Sequence, residues 1–335
     1  MRKLLPLIAA LLLGLVVLAG CGEKEDELEP SGSKRVELML DYFPNADHAG
    51  IYAAQAAGYF EQAGLDVEIR TPPDPSAPIK QVAAGNVDLA ISYEPEVFRA
   101  REIGLDVVSV AALVQKPLTS IISLPKAKIR RPRDLKGKTV GTAGIDYQTA
   151  YLETILAEAG LDTDDVKVRN VGFNLTPALL TGRVDAVLGA FWNYEGTDLK
   201  MRGKKPQIIR MDEAGVPTYN ELVLVANRDA LERDSGKLRA FIGALSRGTR
   251  DLRENPDEAI KGLLEANPDL DPELQREVVK VTLPLFFPPE GKPYGWQDPE
   301  QWDVFSAWMR DSGLLDEPPD PAATHNNRLL PGAGL

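Results

Sequence analysis

The chain has 335 residues, 44% of them hydrophobic and 26% charged, enough for one large or two medium domains of a soluble globular kind. Its 38 basic and 50 acidic side chains give a formal charge of −12, which makes nucleic acid an unfavourable partner. The single cysteine, Cys21, excludes disulfides within the chain, thiol catalysis in the body and cysteine metal sites.

At the N-terminus, Arg2 and Lys3 precede a largely apolar run from Leu4 to Ala19. The run is short for a spanning helix and fits a secretion signal. It ends in Leu18-Ala19-Gly20-Cys21, which resembles the bacterial lipoprotein processing box and implies lipidation of Cys21 after loss of residues 1–20. Cleavage there removes two basic residues and no acid, so 36 basic face 50 acidic side chains and the net charge becomes about −14. "GEKEDELEPSGS" (22–33) is charged and small with no apolar period. We therefore read 21–34 as a flexible tether between a lipid anchor and a folded body outside the cytoplasmic membrane.

The body repeats itself. "AGLD" occurs at 63–66 and 159–162, and "AAGNVDLAISYEPE" (83–96) is similar to "LTGRVDAVLGAFWNYE" (180–195), with Asp88 and Asp185 a comparable distance apart. Two matches at nearly one offset predict two similarly built halves. In the first, the order is strand "VELML", helix "ADHAGIYAAQAAGYFEQAG", strand "DVEIR", helix "APIKQVAAG" and strand "VDLAIS". In the second it is "KTVGTA", "YQTAYLETILAEAG", "VKVRNV", "TPALLTG" and "VDAVLGA". Alternating strands and helices predict parallel α/β sheets with right-handed crossovers. Two further β-rich runs, "TSIISLP" (119–125) and "YNELVLVAN" (219–227), flank the second repeat and mark where the chain crosses between halves. The expected plan is lobe one from 35–120 and 225–335, and lobe two from 121–224.

Ligands of parallel α/β sheets bind beyond the carboxyl ends of the strands. Those positions hold Asp41-Tyr42-Phe43-Pro44-Asn45, "TPPDPS" and Tyr93-Glu94-Pro95 in the first half. The second half offers "GIDYQ", Phe173-Asn174-Leu175-Thr176 and Trp192-Asn193-Tyr194-Glu195. Tyr42, Tyr93, Trp192 and Tyr219 offer faces for stacking, Asp41, Glu94 and Glu195 accept hydrogen bonds, and Asn45, Asn174 and Asn193 both donate and accept. No Gly-rich phosphate loop or arginine pair occurs there, so a planar, nitrogen-rich heterocycle fits better than a sugar phosphate. No metal-ligand spacing is seen and no cofactor is expected.

"LMLDYFPNADHAGIYAAQAAGYFEQAGLDVEI", "VDLAISYEPEV", "VGFNLTPALLTGRVDAVLGAFWNYE" and "GVPTYNELVLVANRD" resemble the substrate-binding proteins of ABC importers for thiamin precursors, with the similarity running from about residue 36 to the closing "ATHNNRLLP". The resemblance implies a type II periplasmic-binding-protein fold, an α/β fold of two lobes joined by two crossing strands with a ligand cleft between them. It further implies a monomer that binds a pyrimidine such as formylaminopyrimidine or hydroxymethylpyrimidine and docks on a membrane permease. Glu195 takes the place of the family's cleft acid, with Asp41, Asn45, Tyr93 and Tyr219 at other cleft positions. Glu94, and Trp192 with Tyr194, depart from the family pattern, which leaves riboflavin, bound by a sister group, as the competing ligand. The fungal thiamin pyrimidine synthases share the fold and use a histidine; here His48, in "NADHAG", is the one candidate, read as a cap or ligand contact, and the cysteine-rich signature of those enzymes is missing. A surface lipoprotein without a ligand is the third reading. The candidate site is thus Asp41, Tyr42, Asn45, His48, Tyr93, Glu94, Asn174, Trp192, Glu195 and Tyr219, with no catalytic residue.

Overall fold

The computed structural model describes residues 34–332. The signal segment 1–20, Cys21 and most of the tether lie outside the described residues. Lys34, placed in the tether from sequence, already belongs to a strand: its N–H donates to the Gly64 carbonyl at 2.8 Å.

Ten strands are described, β1 (Lys34–Met39), β2 (Leu65–Arg70), β3 (Leu89–Ser92), β4 (Val107–Val114), β5 (Thr119–Ser123), β6 (Thr139–Thr142), β7 (Lys167–Asn170), β8 (Ala186–Phe191), β9 (Gln207–Arg210) and β10 (Leu222–Asn227). They form two five-stranded sheets, ordered β2-β1-β3-β10-β4 and β7-β6-β8-β5-β9. Position for position the two orders are the same, as the sequence repeat predicts. The matched aspartates show why the repeat is written into sequence. Asp88 Oδ2 accepts the N–H of Glu37 and Asp185 Oδ2 that of Thr139, both at 2.9 Å. Each aspartate, at the entry to β3 or β8, holds an N–H of the parallel neighbour, β1 or β6. Gly64 and Gly160 end the preceding helices at the same left-handed φ of 71°, a conformation that side chains disfavour.

The sheets are mixed rather than wholly parallel. β10 runs antiparallel to β3 and β4, and β5 antiparallel to β8 and β9. Each of these strands enters its sheet directly from the other lobe, so it is not bound by the direction that a right-handed crossover imposes. β4, "VVSVAALV", is buried throughout, and such an unbroken apolar run shows no period to read from sequence. The expected helix over 46–64 is divided into a 3-10 turn (Ala46–His48), a helix at Ala49–Ala56 and a short one at Tyr59–Gln62, because Gly58 adopts a φ of 68°.

The Ala49–Ala56 helix is seated by the long Ser235–Glu254 helix, which crosses it at glycines. A Cβ built on Gly248 would stand 2.4 Å from both Ala54 N and Gly50 O, and one on Gly50 2.4 Å from Thr249 Oγ1. Small residues allow the two backbones to touch, and the contact fixes where the preceding turn, with Asp47 and His48, faces the other lobe.

Candidate functional site

The carboxyl ends of β1 and β3 in one sheet and of β6 and β8 in the other open on a single cleft, which encloses about 520 Å³ including its mouth. Aromatic faces come from Tyr42, Tyr93, Tyr147, Phe191 and Tyr194, and polar groups from Asp41, Asn45, Asp47, His48, Gln148 and Glu195. Neither lysine nor arginine lines it.

One wall is built by the segment after β1. Asp41 is buried and both its oxygens are engaged: Oδ1 lies 2.8 Å from His48 Nε2, and Oδ2 accepts the Tyr93 hydroxyl at 2.9 Å. The backbone N–H of Asn45 donates to His48 Nδ1 at 3.2 Å. Nδ1 is therefore the acceptor and the ring proton sits on Nε2, aimed at Asp41. Asn45 shapes the turn, its Oδ1 accepting from Asp47 N–H at 2.8 Å and its Nδ2 donating to Phe43 O at 3.0 Å. Burial pushes the Tyr93 hydroxyl well above the usual tyrosine range, so it stays a donor to Asp41.

The opposite wall comes from the end of β8 and the Glu195–Met201 helix. Glu195 is only 8% exposed, and its Oε2 accepts the Phe191 N–H at 2.7 Å. Burial pushes its carboxyl up to about 7, with the nearby Asp47 and Asp198 adding to the rise and hydrogen bonds opposing it. Gln148 accepts the Ala143 N–H at 2.9 Å through Oε1, and its amide nitrogen lies against Gly189. Gly189 needs to be glycine on two counts, a φ of +100° and a Cβ position only 2.4 Å from Gln148 Nε2.

Bonds across the cleft join the walls. The Tyr42 hydroxyl donates to the Phe173 carbonyl at 2.8 Å, and the two rings meet edge-on at 4.8 Å. On the other flank, Asn193 Nδ2 donates to Asp47 Oδ1 and Thr282 Oγ1, each at 2.7 Å, and Gln275 Nε2 donates to the Tyr194 hydroxyl at 3.3 Å. Asp47 Oδ2 and Asn193 Oδ1 are buried without partners among the described residues. Burial raises the Asp47 carboxyl to about 7.

Behind the cleft the two interlobe crossings, residues 115–118 and 211–221, are tied by Glu221. Its Oε2 accepts the N–H groups of Leu118 (2.6 Å) and Thr119 (2.8 Å) and the Tyr219 hydroxyl (3.1 Å), while Oε1 accepts the Thr119 hydroxyl (2.7 Å). Burial pushes this carboxyl up to about 6 against the donors that favour its charge.

Six residues singled out in the sequence come together in the cleft: Asp41, Tyr42, Asn45, His48, Tyr93 and Glu195. Four do not line it. Glu94 is fully buried and turned towards the Pro299–Asp311 helix, its Oε2 accepting from Asn220 N–H at 2.7 Å and Gln301 Nε2 at 3.2 Å. As the first residue of its own helix it points away from the strand end that Tyr93 faces. Trp192 donates from Nε1 to the Pro117 carbonyl at 3.0 Å and stacks under Arg210, so it packs on a crossing. Tyr219 is wholly buried against Phe305 and Tyr151 and serves Glu221. Asn174 is exposed at the start of the Leu175–Leu180 helix. Asp47, Tyr147, Gln148 and Phe191 also line the cleft and were not among the candidates, as does Tyr194, marked from sequence only as a departure from the family pattern. Tyr147 and Gln148 stand in "GIDYQ", a strand-end segment already marked, and were legible from position.

Comparison with known proteins agrees with the architecture. The chain is 38% identical over 315 residues to the formylaminopyrimidine-binding protein of Halalkalibacterium halodurans, covering 93% of this chain and 95% of that one. It is 26% identical to a 4-amino-5-hydroxymethyl-2-methylpyrimidine phosphate synthase of Legionella pneumophila, covering 89% and 92%. Among solved structures, the alkanesulfonate-binding protein of Xanthomonas axonopodis pv. citri bound to MOPS superposes with a TM-score of 0.67 at 19% identity, covering 87% of this chain and 98% of that one. The fold is accordingly that of the type II periplasmic binding proteins, two α/β lobes joined by two crossings around a cleft. With residues 45–259 matching the family described as NMT1/THI5 like, the chain belongs to that family.

Proposed function

We propose that the protein is the extracytoplasmic receptor of an ABC importer, capturing a thiamin-related aminopyrimidine, formylaminopyrimidine or hydroxymethylpyrimidine, and delivering it to a membrane permease. The observation that carries this reading is the Glu195 carboxylate, with one oxygen held by Phe191 N–H and no side chain donating to the other among the described residues, set among aromatic faces in the cleft. An amino group on a flat ring meets such an acceptor while the ring stacks on tyrosine. The near full-length similarity to a protein named for binding formylaminopyrimidine supports it.

Asp41, Tyr42, Asn45, His48, Tyr93 and Glu195 are the proposed ligand contacts. Glu94, Asn174, Trp192 and Tyr219 leave that set. Capture works by rotation about the two crossings, with the Tyr42–Phe173 and Asp47–Asn193 contacts formed on closure. The receptor acts as a monomer, held to the outer face of the membrane by lipid on Cys21. It performs no chemistry: both nitrogens of His48 are committed, to Asp41 and to Asn45, in a ring that is 1% exposed. Glu195→Ala should weaken binding of formylaminopyrimidine by more than about tenfold, since a charge-assisted hydrogen bond contributes about 1.5–3 kcal/mol. Unchanged affinity would remove Glu195 from the site.

A further inference from the structure

We propose that the cleft takes its ligand together with one proton, held between a ring nitrogen and the free oxygen of Glu195, and that it rejects anions. This rests on the reading of the site as a receptor for a basic heterocycle. Three carboxylates, Asp41, Asp47 and Glu195, line the cleft with no lysine or arginine to balance them. Their circumstances differ. Asp41 has each of its oxygens engaged, Oδ1 by His48 and Oδ2 by Tyr93. Asp47 receives one donor from across the cleft and leaves Oδ2 buried and orphaned. Glu195 Oε2 accepts the Phe191 N–H, its own backbone N–H also favours the charged form, and no side chain donates to it among the described residues.

Among the described residues the groups facing Glu195 include no lysine or arginine. Asp198 lies on its own helix, Asp47 and His48 on the turn opposite, Asp41 and Tyr42 after β1, and Tyr194 beside it. His48 offers no spare proton, because its Nε2 already points at Asp41. A second ionised carboxylate in this enclosure is opposed by burial and by Asp47 alike, and both carboxyls are driven up to about 7. A neutral ring carrying a basic nitrogen relieves this by bringing a proton from solvent. The proton bonds to the ring nitrogen and stays hydrogen-bonded to Glu195, so no covalent bond is broken and the complex holds one proton more than ionised protein and neutral ring apart. A sulfonate, by contrast, enters a site with three acids and no base. The related fold that holds MOPS shows that the architecture itself admits such anions.

The test is calorimetric titration of the mature chain with formylaminopyrimidine and hydroxymethylpyrimidine in pairs of buffers of different ionisation enthalpy, from about pH 5.5 to 8.5. Proton uptake should rise from near zero at the acid end towards one at the alkaline end. Affinity should fall by up to about tenfold per pH unit above about 7. In Glu195→Gln, which imitates the protonated acid, both dependences should flatten, and MOPS should not bind the wild type. Pyrimidine binding with no proton uptake and flat affinity would overturn the proposal and leave the receptor reading standing, as would binding of MOPS in the cleft. Failure of every pyrimidine to bind would overturn both.

Discussion

Two glycines five residues apart on the Ser235–Glu254 helix should respond to alanine with opposite signs. At Gly248 a methyl group would stand 2.4 Å from Ala54 N and Gly50 O and 2.7 Å from Ala54 Cβ. Two of those neighbours are backbone atoms, so the helices must part by about 1 Å to restore ordinary contact, and such overpacking costs about 1–3 kcal/mol. The better helix propensity of alanine returns about 1 kcal/mol. The net expectation for Gly248→Ala is a loss of up to about 2 kcal/mol. At Gly243 nothing lies within 4 Å of the place an added methyl would occupy, so Gly243→Ala should gain up to about 1 kcal/mol. Urea unfolding with unchanged slope measures both. Because the Ala49–Ala56 helix directly follows Asp47 and His48, Gly248→Ala should also weaken ligand binding while Gly243→Ala should not. A gain in stability for Gly248→Ala equal to that of Gly243→Ala would refute the close-packed account of this crossing.

Other expectations concern the hinge, the rim and pH. In Glu221→Gln one amide oxygen replaces a carboxylate that serves four donors. At least two buried donors lose their partner at about 1–3 kcal/mol each, against about 2 kcal/mol recovered from the buried charge. Stability should fall by up to ~4 kcal/mol, and hydrogen exchange at the amides of Leu118 and Thr119 should quicken; unchanged protection there would show that Glu221 does not tie the crossings. Tyr42→Phe deletes one bond across the cleft, worth about 1 kcal/mol, and should speed ligand release several-fold with association unaltered, as stopped-flow mixing would show. Asp47, Glu96 and Glu195 have carboxyls raised to about 7 and Glu221 one raised to about 6. Since each binds its proton more tightly folded than unfolded, their stabilising contribution is complete below about pH 4 and is lost as pH rises through 6 to 7. The unliganded protein should therefore melt at a higher temperature near pH 5 than near pH 8, and a steady rise in melting temperature across that interval would contradict the burial of these acids.

What the sequence showed of this design follows from which forces are local. The repeat was legible because Asp88 and Asp185 each clasp a backbone N–H of the neighbouring parallel strand, and because Gly64, Gly85, Gly160 and Gly182 end helices in a conformation that favours glycine. Strand ends were legible too, and with them Asp41, Tyr42, Asn45, His48, Tyr93 and Glu195. Side-chain direction was not. Glu94 sits one residue after Tyr93, yet the turn into a helix sends it towards Gln301, more than two hundred positions away in the chain. Tyr219 looked like a stacking face, and only the approach of the two crossings reveals that its hydroxyl belongs to Glu221. Asp47 escaped notice because its importance comes from Asn193, which the fold brings to it from the other lobe and which Thr282 of the C-terminal segment holds in place.

The measurement that bears most directly on the central claim is calorimetric titration of the chain from Cys21 onward with formylaminopyrimidine, hydroxymethylpyrimidine, thiamin and riboflavin side by side. The account predicts tight binding of one pyrimidine per chain, no comparable binding of riboflavin, and loss of more than about tenfold in Glu195→Ala. Riboflavin binding alone would keep the receptor and replace its ligand, and silence from all four would contradict the account.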